Sequence, residues 1–152
     1  MHPSKCSPII ALGLDNNVVI EYMISSVTSP KVAVPAALFL ALNPGMFLKT
    51  NGSSISFGKV STDRMSVFFH GLVFFLVYSI VAKSMGLMLT KTDLLVTTTL
   101  FMSLSPGMLL TIPPGKGGMF TSGETSQSAI ITHTVVFAVV FALLRKQFPQ
   151  FY

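Results

Sequence analysis

An eleven-residue apolar segment occurs twice in this chain. Leu38-Phe39-Leu40-Ala41-Leu42-Asn43-Pro44-Gly45-Met46-Phe47-Leu48 returns as Leu100-Phe101-Met102-Ser103-Leu104-Ser105-Pro106-Gly107-Met108-Leu109-Leu110, with seven of eleven positions identical. Two unrelated apolar segments would share about one, so the chain is a duplicated unit, and its fold must be assembled from two copies of one supersecondary element. The register continues beyond the segment. Phe57 and Thr62 return as Phe120 and Thr125, His70-Gly71-Leu72-Val73-Phe74-Phe75-Leu76-Val77 as His133-Thr134-Val135-Val136-Phe137-Ala138-Val139-Val140, and Lys83 as Lys146. The offset is 62 residues at the Pro-Gly pair and 63 at the histidines, so one residue was gained or lost between them. Each copy therefore reads as an apolar segment, a Pro-Gly break, a polar loop, a histidine and a second apolar segment.

What surrounds the repeat follows from its composition. The 152 residues are 51% hydrophobic and 10% charged, against about one quarter charged in soluble domains, and the mean hydropathy is +0.70. Val32 to Leu48, Met65 to Ala82, Leu94 to Ile112 and Ala129 to Leu144 lack Asp, Glu, Lys and Arg. Each approaches the roughly 20 residues that cross a bilayer as helix. A soluble bundle needs a polar stripe at helical spacing. The polar residues of Val67 to Ala82 are only His70, Tyr78 and Ser79, and those of Ala129 to Leu144 only Thr132, His133 and Thr134. The alternation of a transmembrane barrel strand is also missing. The expectation is an all-α membrane protein with four transmembrane helices, arranged as two tandem helical-hairpin repeats at residues 32–83 and 84–152, preceded by an N-terminal arm at 1–31.

In the arm, the β-branched runs Ile9 to Leu14 and Val18 to Ile24 flank Asp15-Asn16-Asn17 and suit strands, a surface helix or an extended segment. No basic, apolar, small-residue succession begins the chain, so the first span is expected to serve as the insertion signal. With four spans the termini share a side with the loop from Lys83 to Asp93. Six cations lie there against four on the opposite side, which favours cytoplasmic termini. Because each copy crosses twice, the copies are expected to be related by an axis along the membrane normal. The ten cations are spread over every loop instead of forming the cluster that nucleic acid requires, so no direct nucleic-acid contact is expected.

Few residues suggest chemistry. Pro44-Gly45 and Pro106-Gly107 are read as structural repeat positions that kink or unwind helices. His70 and His133 are ionisable groups inside apolar spans, a position that raises the question of function. With no third ligand or carboxylate beside them, packing and interhelical hydrogen bonding is the expected role. Pro113-Pro114-Gly115-Lys116-Gly117-Gly118 lacks phosphate-loop spacing and reads as a flexible interfacial turn. Asn51-Gly52-Ser53 is a glycosylation sequon that matters only in a lumenal loop. Cys6 alone forms no intramolecular disulfide scaffold. No catalytic residue, cofactor-binding residue or metal ligand is assigned, no cofactor is expected, and the protein is not expected to be an enzyme.

The run Leu104-Ser105-Pro106-Gly107-Met108-Leu109-Leu110-Thr111-Ile112-Pro113-Pro114-Gly115, with Ile131 to Ala138 and the ending Leu144 to Tyr152, resembles small membrane proteins of nucleocytoplasmic large DNA viruses. The Ser-Pro-Gly, loop, His, apolar-helix arrangement also resembles short hydrophobic plant proteins. The likeness covers Val32 to Tyr152. The viral resemblance implies a structural role as a minor capsid protein in the virion inner membrane, present in many copies and contacting lipid and other capsid or membrane proteins. Two alternatives compete with it: a small channel or carrier that uses the histidines, and a cellular membrane assembly factor.

Overall fold

The computed structural model describes residues 16–50, 55–57, 63–120, 122–123 and 125–151; the chain before residue 16 and the Asn51-Gly52-Ser53 sequon lie outside them. Among the described residues, five α-helices and two short hairpins follow in order: α1 (Asn16–Thr28), α2 (Pro30–Leu42), β1 (Leu48–Thr50), β2 (Ile55–Phe57), α3 (Arg64–Ser84), α4 (Lys91–Leu104), β3 (Leu110–Gly115), β4 (Gly118–Phe120) and α5 (Gln127–Gln147). A 3₁₀ turn at Pro149–Phe151 ends the described chain.

The two copies fold alike. Each consists of a short helix, a Pro-Gly turn, an antiparallel hairpin and a long helix. The stops of α2 and α4 are set by proline chemistry. Proline has no N–H and pushes the preceding residue out of helical conformation. Accordingly Asn43 and Ser105 are extended, with ψ of 133° and 128°. Gly45 and Gly107 then take φ of 93° and 88°. The Met46 N–H donates to the Asn43 carbonyl and the Met108 N–H to the Ser105 carbonyl, at 3.1 and 3.2 Å. Pro at the second position and a positive-φ glycine at the third are the requirements of a type II turn.

Beyond each turn the hairpins match as well, Leu48 pairing with Phe57 and Leu110 with Phe120. The residue that shifts the repeat offset from 62 to 63 lies between Leu110 and Phe120, where the strand register is irregular. Asp63 and Ser126 then cap the long helices, accepting hydrogen bonds from the N–H groups of Met65 and Ala129.

One expectation changes, and two readings become specific. The apolar stretches Val32 to Leu48 and Leu94 to Ile112, read as two of the four spans, are cut short by the Pro-Gly turns, leaving α2 with 13 residues and α4 with 14, about 20 Å each. Only α3 and α5, at 21 residues, are long and apolar enough to cross a membrane among the described residues. The Pro113 to Gly118 stretch is the end of a hairpin, with Gly115 paired to Gly118. Part of the arm is helix α1, which packs on α5 and α2 despite its β-branched residues.

The copies interlock. α2 makes its most extensive contacts with α5, and α3 with α4, so each short helix leans mainly on the long helix of the other copy. At the centre lie four buried rings from two repeat-equivalent positions, Phe39 with Phe101 and Phe74 with Phe137. Phe39 stacks on Phe137 at 4.8 Å and 28°, and Phe101 on Phe74 at 4.7 Å and 26°. Exchanging equivalent residues maps one stack onto the other, so a pseudo-two-fold axis passes through the cluster. The edge-on contacts Phe39–Phe101 and Phe74–Phe137 span that axis. Gly71 brings α3 against α4: a Cβ there would stand 2.8 Å from Met102 Cγ.

Candidate functional site

The two histidines occupy one structural role twice. His70 and His133 are the seventh residues of α3 and α5, and both are buried. His70 Nδ1 lies 2.7 Å from the Leu42 carbonyl, and His133 Nδ1 lies 2.7 Å from the Leu104 carbonyl. Leu42 and Leu104 are the last residues of α2 and α4, where backbone carbonyls lose their helical donors. Each long helix thus reaches back and caps the short helix of its own copy.

The tautomer at His133 follows from a second contact. The Ile112 N–H donates to His133 Nε2 at 3.1 Å, so Nε2 carries no proton and Nδ1–H is the donor to Leu104. One neutral imidazole therefore joins the end of α4 to strand β3 across the Pro106-Gly107 turn. The Pro-Gly pairs and the histidines, separate motifs in the sequence, form one device: the turn frees a carbonyl and the histidine satisfies it. Replacing His133 with alanine strands the Leu104 carbonyl and the Ile112 N–H. The expected cost is about 3 kcal/mol, read by equilibrium unfolding of the full chain in a nanodisc.

A second polar cluster lies at the opposite end of the helices. Asp93, in the first turn of α4, is 0% exposed and forms an ion pair with Arg145 in the last turn of α5, whose side chain is 15% exposed. The Arg145 guanidinium also lies 5.5 Å from the Phe141 ring centroid. The Thr90 hydroxyl caps α4 by accepting from the Asp93 N–H at 3.0 Å. Asp93 Oδ2 and the Tyr78 hydroxyl are buried without a hydrogen-bond partner. Sequence reasoning missed this pair, reading Asp93 as the end of a loop and Arg145 as a flanking cation. The available signal was the repeat itself: Lys31 stands where the second copy has Asp93, and Ala82 where it has Arg145, so both partners differ between the copies together.

Among the described residues, no three His, Cys, Asp or Glu side chains converge to hold a metal. Hydroxyls in the helices mostly return to their own backbone, as Thr97 does to Asp93 O and Ser105 to Phe101 O, both at 2.7 Å.

The repeated unit of short helix, Pro-Gly turn, hairpin and histidine-bearing apolar helix defines a class of small two-repeat helical proteins with candidate membrane spans. The chain belongs to the DUF3339 family, described as a protein of unknown function, which matches twice, at residues 28–90 and 88–146. The two matches fit the two-copy layout, and nothing in them links the chain to viruses. No curated protein and no solved structure matches it.

Proposed function

We propose that this protein is an integral membrane component with a structural role, in which both hairpins sit in the bilayer and no reaction is catalysed. The observation that carries this reading is the inside-out distribution of polarity. Phe68, Leu72, Leu76 and Ile80 form an exposed row on α3 at four-residue spacing, and on α5 Ile131 and Val135 are exposed four residues apart, with Leu143 exposed eight residues further on. Meanwhile Asp93, Thr97, Asn43, Ser66 and both histidines are buried. Only 39% of the apolar stretch of either long helix is buried inside the chain. Exposed apolar rows of this kind mark a surface that lipid or a partner covers, and the length of both helices suits lipid.

In this arrangement α3 and α5 cross the hydrocarbon, and α2 and α4 enter as shorter helices whose ends are closed by the Pro-Gly turns and the histidines. Backbone that leaves helical geometry at membrane depth must be satisfied inside the protein. The bonds from His70 and His133 supply that need, which leaves the imidazoles employed in structure and disfavours a channel or carrier built on them. The virion setting implied by the viral resemblance has no feature of the fold behind it, and a cellular assembly role fits the same geometry.

Resistance of the full chain to alkaline carbonate extraction tests the reading; release into the soluble fraction would overturn it. Leu76→Arg gives a sharper check, since Leu76 is 60% exposed near the middle of α3. In lipid an arginine at the helix centre costs about 3 kcal/mol, whereas on a water-facing surface the change stays within about 0.5 kcal/mol. Membrane insertion is expected to fall sharply in the variant, measured as the carbonate-resistant fraction.

A further inference from the structure

Two polar atoms where the copies meet find no hydrogen-bond partner among the described residues. Tyr78, on α3 of the first copy, and Asp93, on α4 of the second, are both fully buried, yet the Tyr78 hydroxyl and Asp93 Oδ2 are unpartnered. A buried hydroxyl or carboxylate oxygen forfeits the solvation it had in water, so native proteins supply it with a partner, often an internal water. We infer that internal water binds between these two residues, accepting from the Tyr78 hydroxyl and donating to Asp93 Oδ2. The site lies inside the chain and does not rest on the membrane reading above.

The packing of α3 on α4 places the groups. Phe74 stacks on Phe101, and in this antiparallel pair Tyr78 and Thr97 each stand one turn beyond that stack, with Asp93 one turn further along α4. Asp93 and Arg145 both act electrostatically on the Tyr78 hydroxyl. Hydroxyl and carboxylate therefore lie close enough to influence one another and too far apart for a direct bond, the separation that a bridging water fills. Thr97 is also fully buried, and its hydroxyl donates to the Asp93 carbonyl at 2.7 Å, which leaves its lone pairs free to accept. One donor and two acceptors match the roughly three hydrogen bonds of a typical buried water.

Water has a route to this point. Arg145, which holds the Asp93 carboxylate, also borders an open cavity of about 370 Å³ between α1, α2 and α5. A single long side chain thus separates the buried carboxylate from the outside, and such a side chain can swing aside. The repeat supplies an independent sign that the cluster is built. In the other copy Tyr78, Asp93 and Arg145 are matched by Phe141, Lys31 and Ala82. Phe141 is fully buried, so this position in the fold accepts a ring without a hydroxyl. The hydroxyl is present only in the copy whose ring packs toward the carboxylate.

Water-edited solid-state NMR tests the site on the full chain, isotope-labelled on its tyrosine and phenylalanine rings and sedimented from neutral detergent. The Tyr78 Cζ signal is identified by its loss in Tyr78→Phe, and the Phe74 ring, equally buried one turn away, is the dry reference. Magnetisation from water protons is expected to reach Tyr78 Cζ several-fold faster than the Phe74 ring. In the double variant Asp93→Leu with Arg145→Met, which removes the carboxylate that anchors the water, transfer to Tyr78 should fall to the level of Phe74. Tyr78→Phe keeps the packing and should raise the unfolding equilibrium constant about fivefold, as loss of one satisfied hydrogen bond does. Transfer to Tyr78 no faster than to Phe74 would overturn the assignment even if Tyr78→Phe destabilises, since the hydroxyl would then bond Asp93 directly. A Tyr78→Phe variant as stable as the wild type, or more so, would also overturn it, because deleting a dry and unsatisfied hydroxyl relieves the fold. Unchanged transfer in the double variant would do the same.

Discussion

Arg145→Met is expected to destabilise the protein by about 3–5 kcal/mol, the cost of removing one partner from a buried ion pair. The penalty comes from what remains: Asp93 is 0% exposed, and its Oδ2 already lacks a hydrogen-bond partner. Without the guanidinium the carboxylate has no compensating charge among the described residues. Asp93→Leu should cost less, because Arg145 is 15% exposed in the last turn of α5 and its long stem allows the charged head to move outward. The double variant Asp93→Leu with Arg145→Met should recover most of the loss, since a buried pair replaced by apolar side chains is often neutral or better. Equilibrium unfolding of the four proteins in one nanodisc composition provides the cycle. Equal costs for both single changes would show that the pair is not buried as described.

Phe39→Ala is expected to cost about 3–5 kcal/mol through the cavity it opens among the central rings. Phe39 is fully buried, stacked on Phe137 and edge-on to Phe101. The pseudo-two-fold relation makes the prediction double: Phe101→Ala removes the equivalent stack on Phe74 and should cost the same to within about 1 kcal/mol. Because the two rings touch, the costs should not add in the double variant. Phe68, half exposed on the outer face of α3, is the control, and its replacement by alanine should change unfolding little. Unequal costs for Phe39 and Phe101 would show that the copies do not share the core evenly.

The duplication was legible because the matching residues do local work. Pro44-Gly45 and Pro106-Gly107 define turns on their own chemistry, and the histidines recur at a fixed distance from them. The hairpins were hidden by their shortness. Three residues at Leu48–Thr50, or a strand containing Pro113-Pro114-Gly115, carry too little alternation to distinguish a strand from a loop. Helix α1 was obscured by Val18, Val19, Ile20, Ile24 and Val27, which favour extended backbone until packing on α5 and α2 decides otherwise. The ion pair was out of reach of local reading because 52 residues separate its partners. The histidines were placed in apolar spans by sequence, but their bonds to the carbonyls of Leu42 and Leu104 depend on where the preceding helix stops.

The exchange of partners between copies has a consequence for chains that carry only one. A lone unit would keep its turn, its hairpin and its histidine bond, yet half of its aromatic centre would face outward, because α2 rests chiefly on α5 and α3 on α4. Two lone units could close that surface by associating about a true dyad, the isologous arrangement of a homodimer. Covalent fusion frees the halves to diverge, and the acid and base at positions 93 and 145, matched by lysine and alanine at 31 and 82, are an asymmetry that no pair of identical subunits could encode.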